Sequence, residues 1–247
     1  MNRPIDVILW VAFPYACLAV FVVGHYWRYR YDKFGWTTRS SQLYERRLLR
    51  WGSPLFHYGL IFVILGHVVG LGIPETWTNA LGVSDSMYHA TAVTSGGLAG
   101  FATVAGMVIL IYRRRTVGPV FSATTRMDKL MYAVLATVII LGMINTVAAN
   151  TLGHYDYRTG VSIWFRGIFR FDLHPDLMAH APIGFQLHAL AAFALFALWP
   201  FTRLVHAFSA PIGYLWRPYI VYRSKDDKLG SRVQRPGWER TGDKTRR

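Results

Sequence analysis

Five stretches of this chain are long and apolar enough to cross a lipid bilayer: about residues 5–27, 55–73, 87–112, 130–149 and 181–208. A hydrocarbon core about 30 Å thick needs about 20 residues at a helical rise of about 1.5 Å each. Lipid offers no partner to a backbone N–H or C=O, so each crossing must satisfy its own hydrogen bonds as a helix. The fold class expected is therefore all-α and integral to the membrane, with five transmembrane helices. Composition agrees, since 53% of the residues are hydrophobic and only 16% are charged. The first stretch is too long for the core of a signal peptide. It also ends in Trp27-Arg28-Tyr29-Arg30 rather than at a small-residue cleavage site, so it reads as a span.

The placement of Lys and Arg orients the spans, because basic loops stay on the cytoplasmic side. Seven of the 27 basic residues lie in 28–50, five in 112–129 and ten in the tail 209–247, while Arg203 sits near the inner end of the fifth stretch. Only Arg3, Arg158, Arg166 and Arg170 fall on the other side. The N-terminus is expected outside and the C-terminus in the cytoplasm, and an odd number of crossings satisfies both. The whole chain, 1–247, then forms one membrane domain with a basic cytoplasmic tail at 209–247. The inner loop and tail suit either partner subunits or anionic lipid headgroups. In the longer outer loop, Ile163 to Arg170 has the pattern of an amphipathic segment suited to the outer headgroup surface. The single cysteine, Cys17, excludes an internal disulfide and a cysteine-held iron–sulfur cluster within the chain.

Four histidines lie inside these apolar runs: His57 and His67 in the second, His188 and His206 in the fifth. An imidazole in hydrocarbon is costly without a partner, so each is a functional candidate. The two spans run antiparallel. That pairs His67 with His188 toward the outside and His57 with His206 toward the inside. Two imidazole pairs at two depths are what two stacked haems require. His57 and His67 are separated by about 15 Å of helix, whereas an unbroken helix would separate His188 from His206 by about 27 Å and point both the same way. Pro200, between the latter two, is expected to kink the helix. Gly59, Gly66 and Gly70 would let a flat macrocycle approach the backbone, or serve helix packing. Arg203, three residues from His206, is the best propionate partner. Arg113, Arg114, Arg115 and Arg126 share that edge, or simply hold the loop inside. His25 is a lesser candidate for an inner ligand, and His154, His174 and His180 belong to the outer loop. A metal set of His174, Asp176 and His180 has no specific spacing.

These residues resemble the cytochrome b (gamma) subunit of membrane-bound respiratory nitrate reductase over nearly the whole chain. The resemblance rests on Arg28-Tyr29-Arg30-Tyr31 with Trp36 and Ser40-Ser41-Gln42, on Phe56-His57-Tyr58-Gly59 through Gly66-His67 to Gly70, and on Leu187-His188 through Pro200-Phe201-Thr202-Arg203-Leu204-Val205-His206. Ala123-Thr124-Thr125 is a weaker match. The resemblance implies two haem b groups, the outer on His67 and His188 and the inner on His57 and His206. It implies oxidation of menaquinol or ubiquinol near the outer haem, in the cytoplasmic membrane. Electrons would then pass to an iron–sulfur beta subunit and a molybdenum alpha subunit in the cytoplasm, where nitrate is reduced; no nucleic-acid partner is implied. The family carries a lysine in the short outer loop before the third span, and here no lysine occurs between Lys33 and Lys129. His89, with Gly66, is the expected substitute as the quinol contact, because imidazole titrates in the useful range. Two other readings compete. One is the same cytochrome module serving another reductase or nitrite oxidation. The other is a haem-free transporter or scaffold, for which the chain shows no supporting repeat.

Overall fold

The computed structural model describes residues 3–32, 35, 36, 40–151, 155–209 and 216. Residues Met1–Ser209 form one compact unit, separate from Ala210–Arg247. His154 and nearly all of the basic tail lie outside the described residues.

The described residues are helical throughout their long elements, and five helices suffice by length and composition to cross a membrane. We label the first two α1 (Pro4–Tyr31) and α2 (Leu49–Gly72). A short α3 (Glu75–Ala80) precedes the long α4 (Asp85–Thr116), and α5 (Gly118–Ser122) leads to α6 (Arg126–Thr151). The segment after α6 carries α7 (Val161–Arg170) and α8 (Pro175–Ala179), and α9 covers Ile183–Leu198. Most large apolar side chains on the long helices point outward, as lipid-facing residues should: Val22 is 63% exposed, Phe62 64% and Leu98 74%.

The closely packed pairs are α2 with α4, α9 with α6, α9 with α1, and α4 with α6. Small residues set the tightest of these. A Cβ at Gly59 would lie 2.6 Å from Thr103 Oγ1, and one at Gly52 would lie 2.8 Å from Ile109 Cγ2. Gly106 likewise lets α4 reach the backbone of Phe56. Gly59 thus serves helix packing, where a backbone surface without a side chain allows the closest approach. The combination of α2, which carries His57 and His67, with α9, which carries His188, is not one of these closely packed pairs.

The fifth crossing differs from the expected 181–208 helix kinked at Pro200. Its apolar span is Ile183–Phe201, and the α-helix ends at Leu198. A single 3₁₀ turn follows at Trp199–Phe201, Thr202 is extended (φ −117°, ψ 177°), and a second 3₁₀ turn holds Arg203–Ala207. Pro200 supplies no N–H and crowds the preceding turn, so the helix stops there. Gly24 on α1 admits the proline ring; a Cβ at that position would lie 2.6 Å from Pro200 Cγ. His206 therefore does not share a helix with His188, and a separation reckoned along one unbroken helix does not apply to them.

The outer amphipathic segment also differs from expectation. It is a helix, α7, but its apolar face packs into protein, with Trp164 3% exposed and Ile168 1%. Trp164 Nε1 donates to the Trp10 carbonyl at 2.9 Å, and the two indoles meet edge to face. Ser162 Oγ donates to the Gly70 carbonyl at 2.8 Å and Arg166 Nη1 to the Leu71 carbonyl at 3.0 Å. These bonds satisfy carbonyls that the end of α2 would otherwise leave orphaned. The helix bearing His67 is thereby pinned one turn beyond that histidine.

On the other side, Arg113 is a clamp. Its side chain is 2% exposed, and it donates to Glu45 Oε2 (2.6 Å), Ser41 Oγ (2.9 Å), the Ser41 carbonyl (2.8 Å) and the Glu45 carbonyl (2.7 Å). Burial opposes ionisation of Glu45, but the Leu48 amide, Arg113 and the Leu49 amide outweigh it and hold its carboxyl below the usual range. Arg114 donates to Tyr132 Oη and Thr124 Oγ1. Arg113 thus fastens the 40–48 segment to the end of α4, while Arg114 ties that end to Thr124 and to Tyr132 of α6.

Candidate functional site

The four candidate histidines come together in the two pairs expected from antiparallel running, with His206 beyond the apolar span Ile183–Phe201. The rings of His67 and His188 have centroids 6.0 Å apart and planes 28° apart. Those of His57 and His206 are 6.0 Å apart, with planes at 68°. Two imidazoles bound to one metal stand about 6 Å apart, given metal–nitrogen bonds of about 2 Å and about 1 Å from each nitrogen to its ring centre. Both separations match that figure and are too long for a direct hydrogen bond between the rings.

Each of the four rings is oriented by its Nδ1. His57 Nδ1 lies 2.8 Å from the Ser53 carbonyl, and His67 Nδ1 lies 2.8 Å from the Val63 carbonyl. His206 Nδ1 is 2.6 Å from the Arg203 carbonyl, and His188 Nδ1 reaches across to the Val138 carbonyl of α6 at 3.1 Å. A carbonyl can only accept, so each Nδ1 carries the proton and Nε2 keeps its lone pair. That is the tautomer a metal ligand needs, and such outer hydrogen bonds commonly fix ligand orientation. Sequence reasoning missed two supports on α6, Val138 and Gly142. A Cβ at Gly142 would lie 3.0 Å from His188 Cε1, so the glycine is what allows that ring its place. Nothing near Val138 or Gly142 in the sequence marks them.

A Cβ added at Gly66 would meet nothing within 4 Å, unlike one at Gly59 or Gly70. At the inner end, a cavity of about 170 Å³ is lined by Ser40, Ser41, Tyr44, Arg114, Ala123 and Arg203. Arg203 is forked onto Asp128, with Nε–Oδ1 at 2.7 Å and Nη2–Oδ2 at 2.8 Å. Asp128 is itself placed by the start of α6, where it and Thr125 exchange side-chain bonds to each other's backbone N–H, a reciprocal cap. The paired donors fit two irons, each held between two imidazoles; the cavity beside Arg114 and Arg203 is lined by neither His57 nor His206.

The remaining histidines are placed otherwise. His89 is exposed near the N-terminal end of α4, beside Tyr88. His25 Nδ1 bonds the Phe21 carbonyl at 2.7 Å, and its ring contacts Phe21, Trp36 and Phe208 rather than a second imidazole. His174 pairs with Asp172 at 3.1 Å, and His180 Nδ1 bonds the Asp176 carbonyl. No cluster of three metal-ligating side chains occurs among the described residues, so the set His174, Asp176 and His180 is not gathered.

The chain is 56% identical over 233 residues to a nitrate reductase-like protein NarX of Mycobacterium tuberculosis, covering 94% of this chain but 36% of that protein. It thus spans about a third of the length of that relative. It is 43% identical to the nitrate reductase gamma chain of Bacillus subtilis, covering 88% of this chain and 98% of the relative. It is 30% identical to the respiratory nitrate reductase 2 gamma chain of Escherichia coli, covering 91% and 100%. Residues 6–225 match the family model described as nitrate reductase gamma subunit, and the chain belongs to that family.

Proposed function

We propose that this chain is a di-haem b electron-transfer subunit that oxidises quinol on the outer side of the cytoplasmic membrane and sends electrons inward. The observation that carries the reading is the pair of imidazole couples, each at 6.0 Å with every Nδ1 tied to a carbonyl. His67 and His188 would hold the outer iron, and His57 and His206 the inner. When bound, these groups supply one-electron steps across the bilayer, at potentials set by axial ligation and surrounding hydrogen bonds. Arg203, kept in orientation by Asp128, would meet an inner propionate. His89 and Gly66 are the proposed quinol contacts, His89 as a hydrogen-bonding partner or proton acceptor.

The N-terminus lies outside and the C-terminus in the cytoplasm on this reading, as the basic loops suggest. Protons from quinol leave outward while electrons cross inward, so charge is separated without a proton channel. Each electron moved is worth about 2.3 kcal/mol per 100 mV of membrane potential. The inner surface, with its clamped 40–48 loop, would dock an iron–sulfur subunit and through it a molybdenum subunit that reduces nitrate.

A reduced-minus-oxidised spectrum with a haem-to-protein ratio tests the reading. Two haems per chain are expected. Replacing His67 or His188 by alanine should remove only the outer haem, and replacing His57 or His206 only the inner. Colourless protein, or four variants that each keep two six-coordinate haems, would refute it.

A further inference from the structure

The outer end of the bundle holds a cluster that the histidine pairs do not use. The Tyr157 ring stacks on Phe185, with centroids 6.5 Å apart and planes 26° apart. A Cβ at Gly70 would lie 3.0 Å from the Tyr157 hydroxyl. Gly70 is three residues past His67 on a helix running outward, and Phe185 is three residues before His188 on one running inward. Tyr157 therefore sits about one turn outward of both outer histidines. Its hydroxyl is hydrogen-bonded to that of Tyr88, on α4, at 3.0 Å.

Above Tyr88 lies Arg158, its guanidinium 4.5 Å from the ring centre. Arg158 donates to Asp85 at 3.0 Å and to Asp156 at 3.1 Å. Its side chain is 7% exposed, whereas that of Asp85 is 69% exposed. So the cluster runs from beside the outer histidine pair to a carboxylate at the surface. Glu75 of α3 adds a further negative charge within reach of Arg158. One donor in this cluster is unused: Arg158 Nη1 is buried with no hydrogen-bond partner among the described residues. A buried guanidinium N–H without an acceptor is costly, and a quinol oxygen is an acceptor of suitable size and charge.

The protonation state of Tyr157 limits its role. Burial, and next the bond with Tyr88, push its phenol well above the ordinary range. It stays a phenol at neutral pH, so it takes a proton only while giving one away.

Resting on the reading of quinol oxidation at the outer histidine pair, we propose that Tyr157 and Tyr88 relay quinol protons outward to Asp85, with Arg158 Nη1 donating to a quinol oxygen. In each transfer a quinol O–H bond breaks and its proton binds Tyr157 Oη. The Tyr157 proton moves to Tyr88 Oη, and the Tyr88 proton leaves toward Asp85 and the outer solvent. Each quinol loses two protons by this route and two electrons to the outer iron, and both tyrosines return to their starting state. The relay leaves His89 as a hydrogen-bonding contact to the quinol and takes both protons through Tyr157.

The test uses the complete membrane complex in vesicles, with Tyr157→Phe, Tyr88→Phe and the double variant. Quinol-driven haem reduction is followed by stopped flow in H₂O and D₂O, with an impermeant pH dye outside. Each single variant is expected to slow haem reduction and proton release together by about tenfold or more, as loss of a proton-transfer group does. The solvent isotope effect should rise, and the double variant should be no slower than the slower single, since both interrupt one path. Haem content and the dithionite-reduced spectrum should not change. Wild-type rates and isotope effects in both single variants would overturn the relay. If Tyr157→Phe loses haem, Tyr88→Phe decides, because its hydroxyl lies on a helix that carries no ligand. Wild-type complex that takes no electrons from quinol overturns the quinol reading itself.

Discussion

Replacing Gly142 by alanine adds one methyl group on α6, a helix that bears no histidine ligand, and should still weaken the outer haem site. The new Cβ would stand 3.0 Å from Cε1 and 3.5 Å from Nδ1 of His188. Ordinary contact begins at 3.4 Å, so the ring must give by a few tenths of an ångström. His188 has little slack, because its Nδ1–Val138 bond is already 3.1 Å, near the long end of the ordinary range of about 2.7–3.2 Å. Losing such a bond costs about 0.5–1.5 kcal/mol. Removing an outer partner of a metal ligand typically costs about 10–100-fold in metal affinity. We expect outer-haem affinity to fall about tenfold, equivalent to about 1.4 kcal/mol. Folding should not suffer, because alanine is favoured over glycine in a helix by about 0.8–1 kcal/mol. The assay is the haem-to-protein ratio after purification and haem titration, with the inner haem as internal reference. An outer haem of unchanged occupancy and spectrum would refute the steric argument, and equal loss of both haems would show a global effect instead.

Arg113→Ala should release the 40–48 segment. Breaking a buried pair while leaving its partners unsatisfied costs about 3–5 kcal/mol, and faster proteolysis between α1 and α2 would report it. Acid should loosen the same loop: the Glu45 carboxyl is depressed below its ordinary 4.5, so its contribution is complete above that pH and is lost as pH falls through the lowered value. Glu45→Gln should flatten that pH dependence. Gly59→Ala should destabilise the α2–α4 contact by about 1–3 kcal/mol through overpacking, seen as a lower Tm of the purified protein. Gly66→Ala meets no protein atom and should leave Tm unchanged, so any loss of haem or quinol turnover there reads the site directly.

Much of the architecture was legible in the residues. Hydrocarbon demands long unbroken apolar runs and admits few charges, so five crossings can be counted from Ile5 onward without coordinates. Antiparallel order alone pairs His67 with His188 and His57 with His206. The break at Pro200 was anticipated only as a kink. Whether a proline bends a helix or ends it depends on what can fill the gap, here the bare backbone of Gly24 on another helix. The outer amphipathic segment was legible as a helix, but its apolar stripe does not say whether lipid or Trp10 will cover it.

What the amino-acid order determined by itself is what the solvent imposes: helical crossings, the expected inward side from basic loops, and two depths for two histidine pairs. The tertiary structure alone decided the matches between distant residues. It brings Gly142 under His188, Asp128 under Arg203, and Tyr157 with Arg158 against residues some 70 positions earlier in the chain. The physical reason is range. Hydrophobic length and charge placement act within one segment. Ring contacts, hydrogen bonds and packing against a glycine depend on ångström-scale positions that no single segment contains.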